Sequence, residues 1–516
     1  MNSDLKALEF EGIRRLLEKL TATPYGADAA RALEPAPALA DALRMQASVS
    51  AAREVLEAGA VPALGELPDM RAALRQAARE GAALNVHALH NLRLVMQAVE
   101  GLRDTVERWP ALYPGPAAAL NAPAPVAERL AQTLAAGAAL RPEASETLAE
   151  LHGEQARLCA EAGQIVERRM QAADVADAVK EPKVQWHNQR AVFALHNSAA
   201  DRVKGVRRGT AMGGRDVLME PMEAVAVNNR LETVNGQIGA EQQRLLREIT
   251  GVVRAHLDAL HQQIAALTWI DLALAAGQLS QHLNAHAPQL ADEPLVALEQ
   301  AYHPLLLLQY ADGSGPQPVP LSVRLDDQNR VLVITGPNTG GKTVVIKTLG
   351  LLTVMAHCGL HIPAEGDCVI GNYRRVMVDV GDHQSLFHHL STFAGHVEVL
   401  KRILAEADER TLVLLDELGT GTDPEEGAAL AMSVMDELVE RRVQGIVNTH
   451  LSPLKTYAAQ RDHVRNASML FDHEQLRPTY QLRIGEPGKS LGLLIAEKSG
   501  LPPELVQRAR DHLARF

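Results

Sequence analysis

Residues 331–343, VLVITGPNTGGKT, constrain this chain more than any other stretch. Val331 to Ile334 form an apolar run of the kind that lies buried in a parallel sheet. A glycine-rich loop follows, made of Gly336, Pro337, Asn338, Thr339, Gly340 and Gly341, and Lys342 and Thr343 then open an apolar helical stretch. Strand, G-x-x-x-x-G-K-[ST] and helix in that order define a phosphate-binding loop. Glycines let backbone N–H groups converge on a phosphate without side-chain clashes, and the helix N-terminus adds a favourable dipole. The pattern predicts a nucleoside triphosphate site, with Lys342 directed at the β- and γ-phosphates and the Thr343 hydroxyl at Mg2+.

A second apolar run, residues 411–415, ends in Asp416 and Glu417. Downstream of a complete phosphate loop, Asp416 is placed to hold the metal and Glu417 to polarise an attacking water. The loop beyond leads to Asp423, Pro424, Glu425 and Glu426, which suit the N-cap, the first helical position and the positive end of a helix. A third strand-like run, residues 445–449, ends in His450, placed to sense the γ-phosphate or orient the water. Only 72 residues separate Thr343 from Asp416, which argues against a long coiled-coil insertion of the SMC type. With Lys342, Asp416, Glu417 and His450 all present, a nucleotide-binding scaffold without turnover is disfavoured.

The 516 residues allow two or three domains. A formal net charge of −12 excludes a protein that is basic overall, so nucleic-acid binding would need a local patch. Three scattered cysteines without a C-x-x-C pattern fit a reducing cytoplasm. The first residues lack a signal-peptide pattern, and no window approaches a membrane span. The reading is a cytoplasmic protein with no membrane partner.

Residues 1–290 read as a helical core and lever region, and residues 291–516 as an α/β P-loop domain. Leu5, Leu8, Ile13, Leu16, Leu17 and Leu20 recur at helical spacing, and a helix is expected near Leu84–Trp109. Residues 114–125 read as a linker and residues 126–175 as helical again. Two or three short strands are expected within residues 183–222. Helix returns from Glu220, with Asn229–Leu267 free of interior proline. The window 183–215 carries Lys183, Arg190, Arg202, Lys204, Arg207, Arg208 and Arg215 against one acid, Asp201. Such a window is either a solvated face or a phosphate contact. Trp186 and Phe193 beside it read as packing residues. His383, His388, His389 and His396 invite a metal reading, but no acid or cysteine completes a recognised ligand spacing.

Taken together, Ile334–Thr343, Ser391-Thr392-Phe393, Leu415–Pro424, Thr449-His450 and Gly488–Leu493 resemble the MutS family of mismatch-repair ATPases, and its bacterial MutS-two branch in particular. Leu8-Glu9-Phe10, Leu218–Pro221, Asn228-Asn229 and Arg477–Tyr480 carry the resemblance outside the nucleotide motifs. It implies an ABC-type ATPase working with ATP and Mg2+ as a head-to-tail homodimer. Ser391 and Thr392 would form the signature that reaches the partner's γ-phosphate. Asn338 and Gln384 would position phosphate and metal, Tyr480 would lie against adenine, and residues 490–516 would form a helical dimerisation element. By the same resemblance the chain would clamp branched or junction duplex DNA in repair or recombination control, with Arg202, Lys204, Arg207, Arg208 and Arg215 as the candidate DNA contacts. The alternative is a ribosome-associated ATPase acting on stalled or collided ribosomes. No F-x-E occurs, so single-mismatch reading is not carried over. The coiled coil and Smr nuclease common in this branch are not among these residues, so endonuclease activity is not expected of them.

Overall fold

The computed structural model describes residues 2–179, 182–211, 216–336, 341–380, 392–472, 477–488, 492–498 and 500–513. Contacts gather the chain into two units. One comprises Leu67–Gly101 and Ala117–Ala265; the other comprises Met1–Glu66, Leu102–Pro116 and Ala266–Phe516. No helix among the described residues is long and apolar enough to cross a membrane.

The first unit is helical around a small antiparallel sheet. Its strands are β1 (Gln185–His187), β2 (Arg190–His196), β3 (Gly205–Thr210) and β4 (Asp216–Pro221), in the order β1-β2-β4-β3. Four strands form where two or three were expected, because the three-residue β1 closes a hairpin on β2 through Asn188 and Gln189. Both turn residues hold positive φ, 48° and 64°, as a two-residue hairpin turn requires. Ala191, Phe193 and Leu195 of β2 and Val217 and Met219 of β4 turn one face onto Ala162, Val166 and Met170 of the helix Glu146–Met170. Ser145 caps that helix, accepting from Leu148 N. Phe193 is fully buried, as expected, but Trp186 is 48% exposed and is not a packing residue. The residues read as a linker include a short 3-10 turn, Ala117–Leu120, that buries Ala119 and Leu120. The helix Met222–Ala255 runs 34 residues, about 50 Å at 1.5 Å per residue. It ends at His256, whose φ of −122° breaks the helical path before the next helix begins at Leu257. The uninterrupted Asn229–Leu267 helix is therefore corrected to two.

The second unit is α/β. Its strands are β5 (Gln289–Ala291), β6 (Val296–Ala301), β7 (Leu321–Leu325), β8 (Val331–Thr335), β9 (Val369–Gly371), β10 (Arg375–Asp379), β11 (Thr411–Leu415), β12 (Gln444–Thr449), β13 (Val464–Asp472) and β14 (Arg477–Ile484). The main sheet has the order β10-β11-β12-β8-β13-β14, parallel from β10 to β13, with β14 antiparallel at the edge. Strand β8 shows why the apolar run is continuous. Leu332 and Ile334 face one core, Val331 and Val333 the other, so none of these four positions is left for a polar residue.

The first core contains the helix Lys342–His357 together with Leu5, Leu8, Phe10, Ile13 and Leu17. This is why the contacts do not divide at residue 290. The N-terminal helices bury their apolar stripe in the same core as the phosphate-loop helix. Gly350 makes the approach possible, since a Cβ there would lie 2.4 Å from Leu8 Cδ2. Glu9 adds a 2.6 Å ion pair to Lys347 on the same helix. The Leu8-Glu9-Phe10 motif thus docks on the helix that follows the phosphate loop.

Candidate nucleotide site

Parallel register brings the chemistry to one edge. Thr335 of β8 pairs with Thr449 of β12, and Leu415 of β11 pairs with Val447 of β12 and Asp379 of β10. The residues just past these pairs, Gly336, His450 and Asp416, therefore emerge together at the carboxyl ends of the strands, where ligands of open α/β sheets bind. Gly341 holds a φ of 89° and hands the chain to the helix at Lys342. A side chain at Gly341 would also strike Tyr480, whose Cδ1 lies 2.8 Å from where a Cβ would stand.

Lys342 is buried, and its Nζ donates to Gly336 O at 2.7 Å, tying the ammonium to the residue just past β8. Burial pushes its pKa down, while the charges of Asp416 and Glu417 oppose that shift. Thr343 Oγ1 donates to Asp416 Oδ2 at 2.6 Å, and Asn448 Nδ2 donates to Asp416 Oδ1 at 3.0 Å. Both Asp416 oxygens are thereby oriented. A threonine hydroxyl and a carboxylate brought together beside a phosphate loop form the hard-oxygen donor set that suits Mg2+. Glu417 follows in a left-handed turn with φ 55°, a conformation uncommon for a non-glycine residue and often found at functional sites. Asp423 caps the helix Pro424–Glu440, accepting from Glu425 N and Glu426 N. His450 is exposed directly after β12.

Asp379 links this edge to a neighbouring helix. Its backbone oxygen accepts from Asp416 N at 2.8 Å, and its carboxylate lies 2.8 Å from His396 Nδ1 on the helix Thr392–Glu406. The hydrogen bond and charge of Asp379 raise the His396 pKa. His396 therefore has a carboxylate partner, and no cluster of three or more His, Cys, Asp or Glu placed to hold a metal occurs among the described residues. His383, His388 and His389 lie outside the described residues, as do Pro337, Asn338, Thr339, Gly340, Gln384, Ser391 and Arg215. Thr392 opens its helix, and its side chain is likewise outside the description.

A cavity of 180 Å3 opens beside Gly341. Its wall includes Tyr480, Val344, Pro318, Val319 and His303. Tyr480 is 51% exposed and holds a positive φ of 58°. Sequence reading found Tyr480 but missed the proline-rich loop of residues 316–320 and His303, because an apolar loop carries no chemical signature. Burial lowers His303 to about 4, and its buried Nδ1 has no hydrogen-bond partner among the described residues. The unfolded chain binds more protons than the folded one between that value and 6.5. The stability His303 contributes is therefore full above pH 6.5 and lost as pH falls toward 4, on the order of 3 kcal/mol. Urea midpoints measured across that range should decline, and His303→Gln should flatten the decline.

The basic window is organised differently from the expectation. Glu220, fully buried, accepts from Arg190 Nη1 at 2.8 Å, Arg208 Nε at 2.6 Å and Asn228 Nδ2 at 2.7 Å. Burial alone would raise the Glu220 pKa, but these three donors outweigh it and hold the carboxyl below its usual range. Asn228 also bridges Ala191 N and O. Arg190, which also reaches Asn229 and Glu232, and Asn228 hold the sheet to the helix Met222–Ala255. Arg208 ties β3 to Glu220 of β4, and charge reversal there would test folding before any ligand contact. Arg202 pairs with Asp177 and Arg207 with Asp201, both at the surface, where such pairs contribute little and exchange readily. Lys204 is exposed.

The family model described as MutS domain V matches residues 332–516. Endonuclease MutS2 of Symbiobacterium thermophilum is 36% identical over 520 residues, covering 99% of this chain and 63% of that protein. The Endonuclease MutS2 proteins of Pelotomaculum thermopropionicum and Thermus thermophilus are 35% and 36% identical, again over 99% of this chain, and are covered to 64% and 66%. The chain belongs to the MutS family. It spans just under two thirds of the length of these MutS2 relatives. The domain V match contains Lys342, Thr343, Asp416, Glu417, His450 and Tyr480, whereas His303 and the loop of residues 316–320 precede it. The MutS2 alignments cover the helical unit with its four strands as well.

Proposed function

We propose that this chain is a MutS-type ATPase that binds duplex DNA. The observation that carries the ATPase reading is the 2.6 Å contact between Thr343 Oγ1 and Asp416 Oδ2, with the neighbouring Lys342 Nζ bonded to Gly336 O. In this reading ATP lies with its phosphates at the loop and its base in the cavity beside Tyr480. Mg2+, held by Thr343 and Asp416, would neutralise charge on the β- and γ-phosphates. Lys342 binds the same phosphates. Asn448 fixes the Asp416 carboxylate, and Glu417 takes the proton from the attacking water, with His450 orienting it.

The finer reading is a head-to-tail homodimer in which Ser391 completes the partner's site and the helical units close on branched or junction DNA. Differential affinity of ATP for the open and closed arrangements would drive the closure. Arg202, Lys204 and Arg207 are its candidate phosphate contacts, because their pairs are exposed or absent from the buried network. Lys342→Ala should abolish tight ATP binding, read with a fluorescent ATP analogue. Junction duplex should stimulate phosphate release from the unmodified chain, and DNA binding should weaken steeply with salt. An ATPase indifferent to every duplex, with no salt-sensitive binding, would remove the DNA reading and leave the ATPase.

A further inference from the structure

The helical unit contains a second cavity, of 350 Å3, lined by Gln155, Cys159, Trp186, Gln189, Asn235 and Gln242 among others. None of its lining residues is charged. Trp186 stands on β1, the edge strand of the small sheet, with about half its surface in water. The hairpin turn at Asn188 and Gln189 brings Gln189 into the same wall. There Gln155 Nε2 donates to Asn235 Oδ1 at 2.7 Å, and Asn235 Nδ2 donates to Gln189 Oε1.

Each primary amide carries two N–H groups and an oxygen with two lone pairs, so this chain of amides keeps donors and acceptors in reserve. A half-exposed indole offers a flat apolar face beside them. The cavity is thus built for a planar, neutral group with a hydrogen-bonding edge, and ill suited to a phosphate. We infer that it receives an unpaired nucleobase, stacked on Trp186 and read at its edge by Gln155, Gln189, Asn235 and Gln242. This rests on the DNA-binding reading and narrows it. A base inside a duplex is paired and stacked, and so presents neither face nor edge, whereas an unpaired base at a branch, gap or end presents both. Lys183, exposed three residues before Trp186, supplies charge for a flanking phosphate.

The test uses the full chain with a short thymidine oligonucleotide, an abasic strand of equal length and a fully paired duplex. Three tryptophans are present, so quenching by Trp186 is read as the difference between the unmodified chain and Trp186→Phe. The oligonucleotide should quench that signal, and the abasic strand should bind about tenfold more weakly. Trp186→Ala should weaken the oligonucleotide about tenfold, Trp186→Phe should retain most of the affinity, and both should keep basal ATPase and duplex binding. Equal affinity for abasic and thymidine strands, or unchanged oligonucleotide binding by Trp186→Ala, overturns the base site while duplex binding stands. Quenching by a partner protein instead of by the oligonucleotide also overturns it. A chain that binds no nucleic acid of any form overturns both readings at once.

Discussion

Glu417→Gln is expected to lower ATP hydrolysis by about 10²- to 10⁴-fold, the usual worth of a positioned general base, while ATP binding persists. The amide matches the carboxylate in shape and leaves the left-handed turn at φ 55° undisturbed. It removes the capacity to take a proton, together with the carboxylate's negative charge. Asp416 cannot substitute, because its two oxygens are engaged by Thr343 and Asn448. One further consequence separates this change from a general disturbance of the site. Glu417 is one of two acids whose charge opposes the burial-driven fall of the Lys342 pKa, and Asp416 remains to do so in the variant. Nucleotide affinity should therefore change far less than turnover. Single-turnover phosphate release, with analogue binding measured in parallel, checks this. Turnover within tenfold of the unmodified chain would move the base assignment to His450, which His450→Ala would then expose.

The strand and helix on either side of residues 337–340 were legible because their signal is local. Val331–Thr335 and Lys342–His357 form where thirteen consecutive residues call for a buried strand and then a helix. The second strand was legible for the same reason, ending in Asp416 and Glu417 where a parallel sheet ends. The network around Glu220 was not legible as a structure. Its donors come from β2, β3 and a helix, and no spacing announces that Arg190, Arg208 and Asn228 converge. Counted along the sequence, the arginines gave a basic patch; folded, two of them neutralise a buried acid. Trp186 failed differently. A tryptophan in a strand-like run is ordinarily half-covered by a neighbouring strand, but β1 is three residues long and lies at the edge. The break at His256 had no proline or glycine to signal it.

Arg402→Ala is expected to cost the α/β unit about 3–5 kcal/mol, because it strips the counter-ion from a buried carboxylate. Asp4, on the N-terminal helix Asn2–Ala7, is only 4% exposed and takes two bonds from Arg402, at 2.8 and 2.7 Å. It also accepts from Val378 N of β10 at 3.0 Å. Burial would raise the Asp4 pKa, but these bonds more than offset it and leave the carboxyl below its ordinary value. The pair's contribution is accordingly present above the unfolded carboxylate range near 3.9 and lost as pH falls through the lower folded value. In Arg402→Ala the abandoned carboxylate is driven toward its protonated form, so the deficit should shrink between pH 7 and pH 5. Arg402→Lys should recover part of it, since a single ammonium cannot reproduce a two-bond fork. The double change Asp4→Asn, Arg402→Ala should be milder than the single one, because no charge is left behind. Urea melts of the four proteins decide the matter, and a single variant within about 1 kcal/mol of the unmodified chain would show the pair to be ornamental. Arg402 stands on the helix that begins at Thr392, next to Ser391, and Val378 stands one residue before the Asp379 that braces Asp416. One carboxylate near the start of the chain thereby ties β10 to the helix Thr392–Glu406, which begins beside the Ser391 proposed to complete a partner's site, so Arg402→Ala should lower ATP turnover under conditions where the chain is still folded.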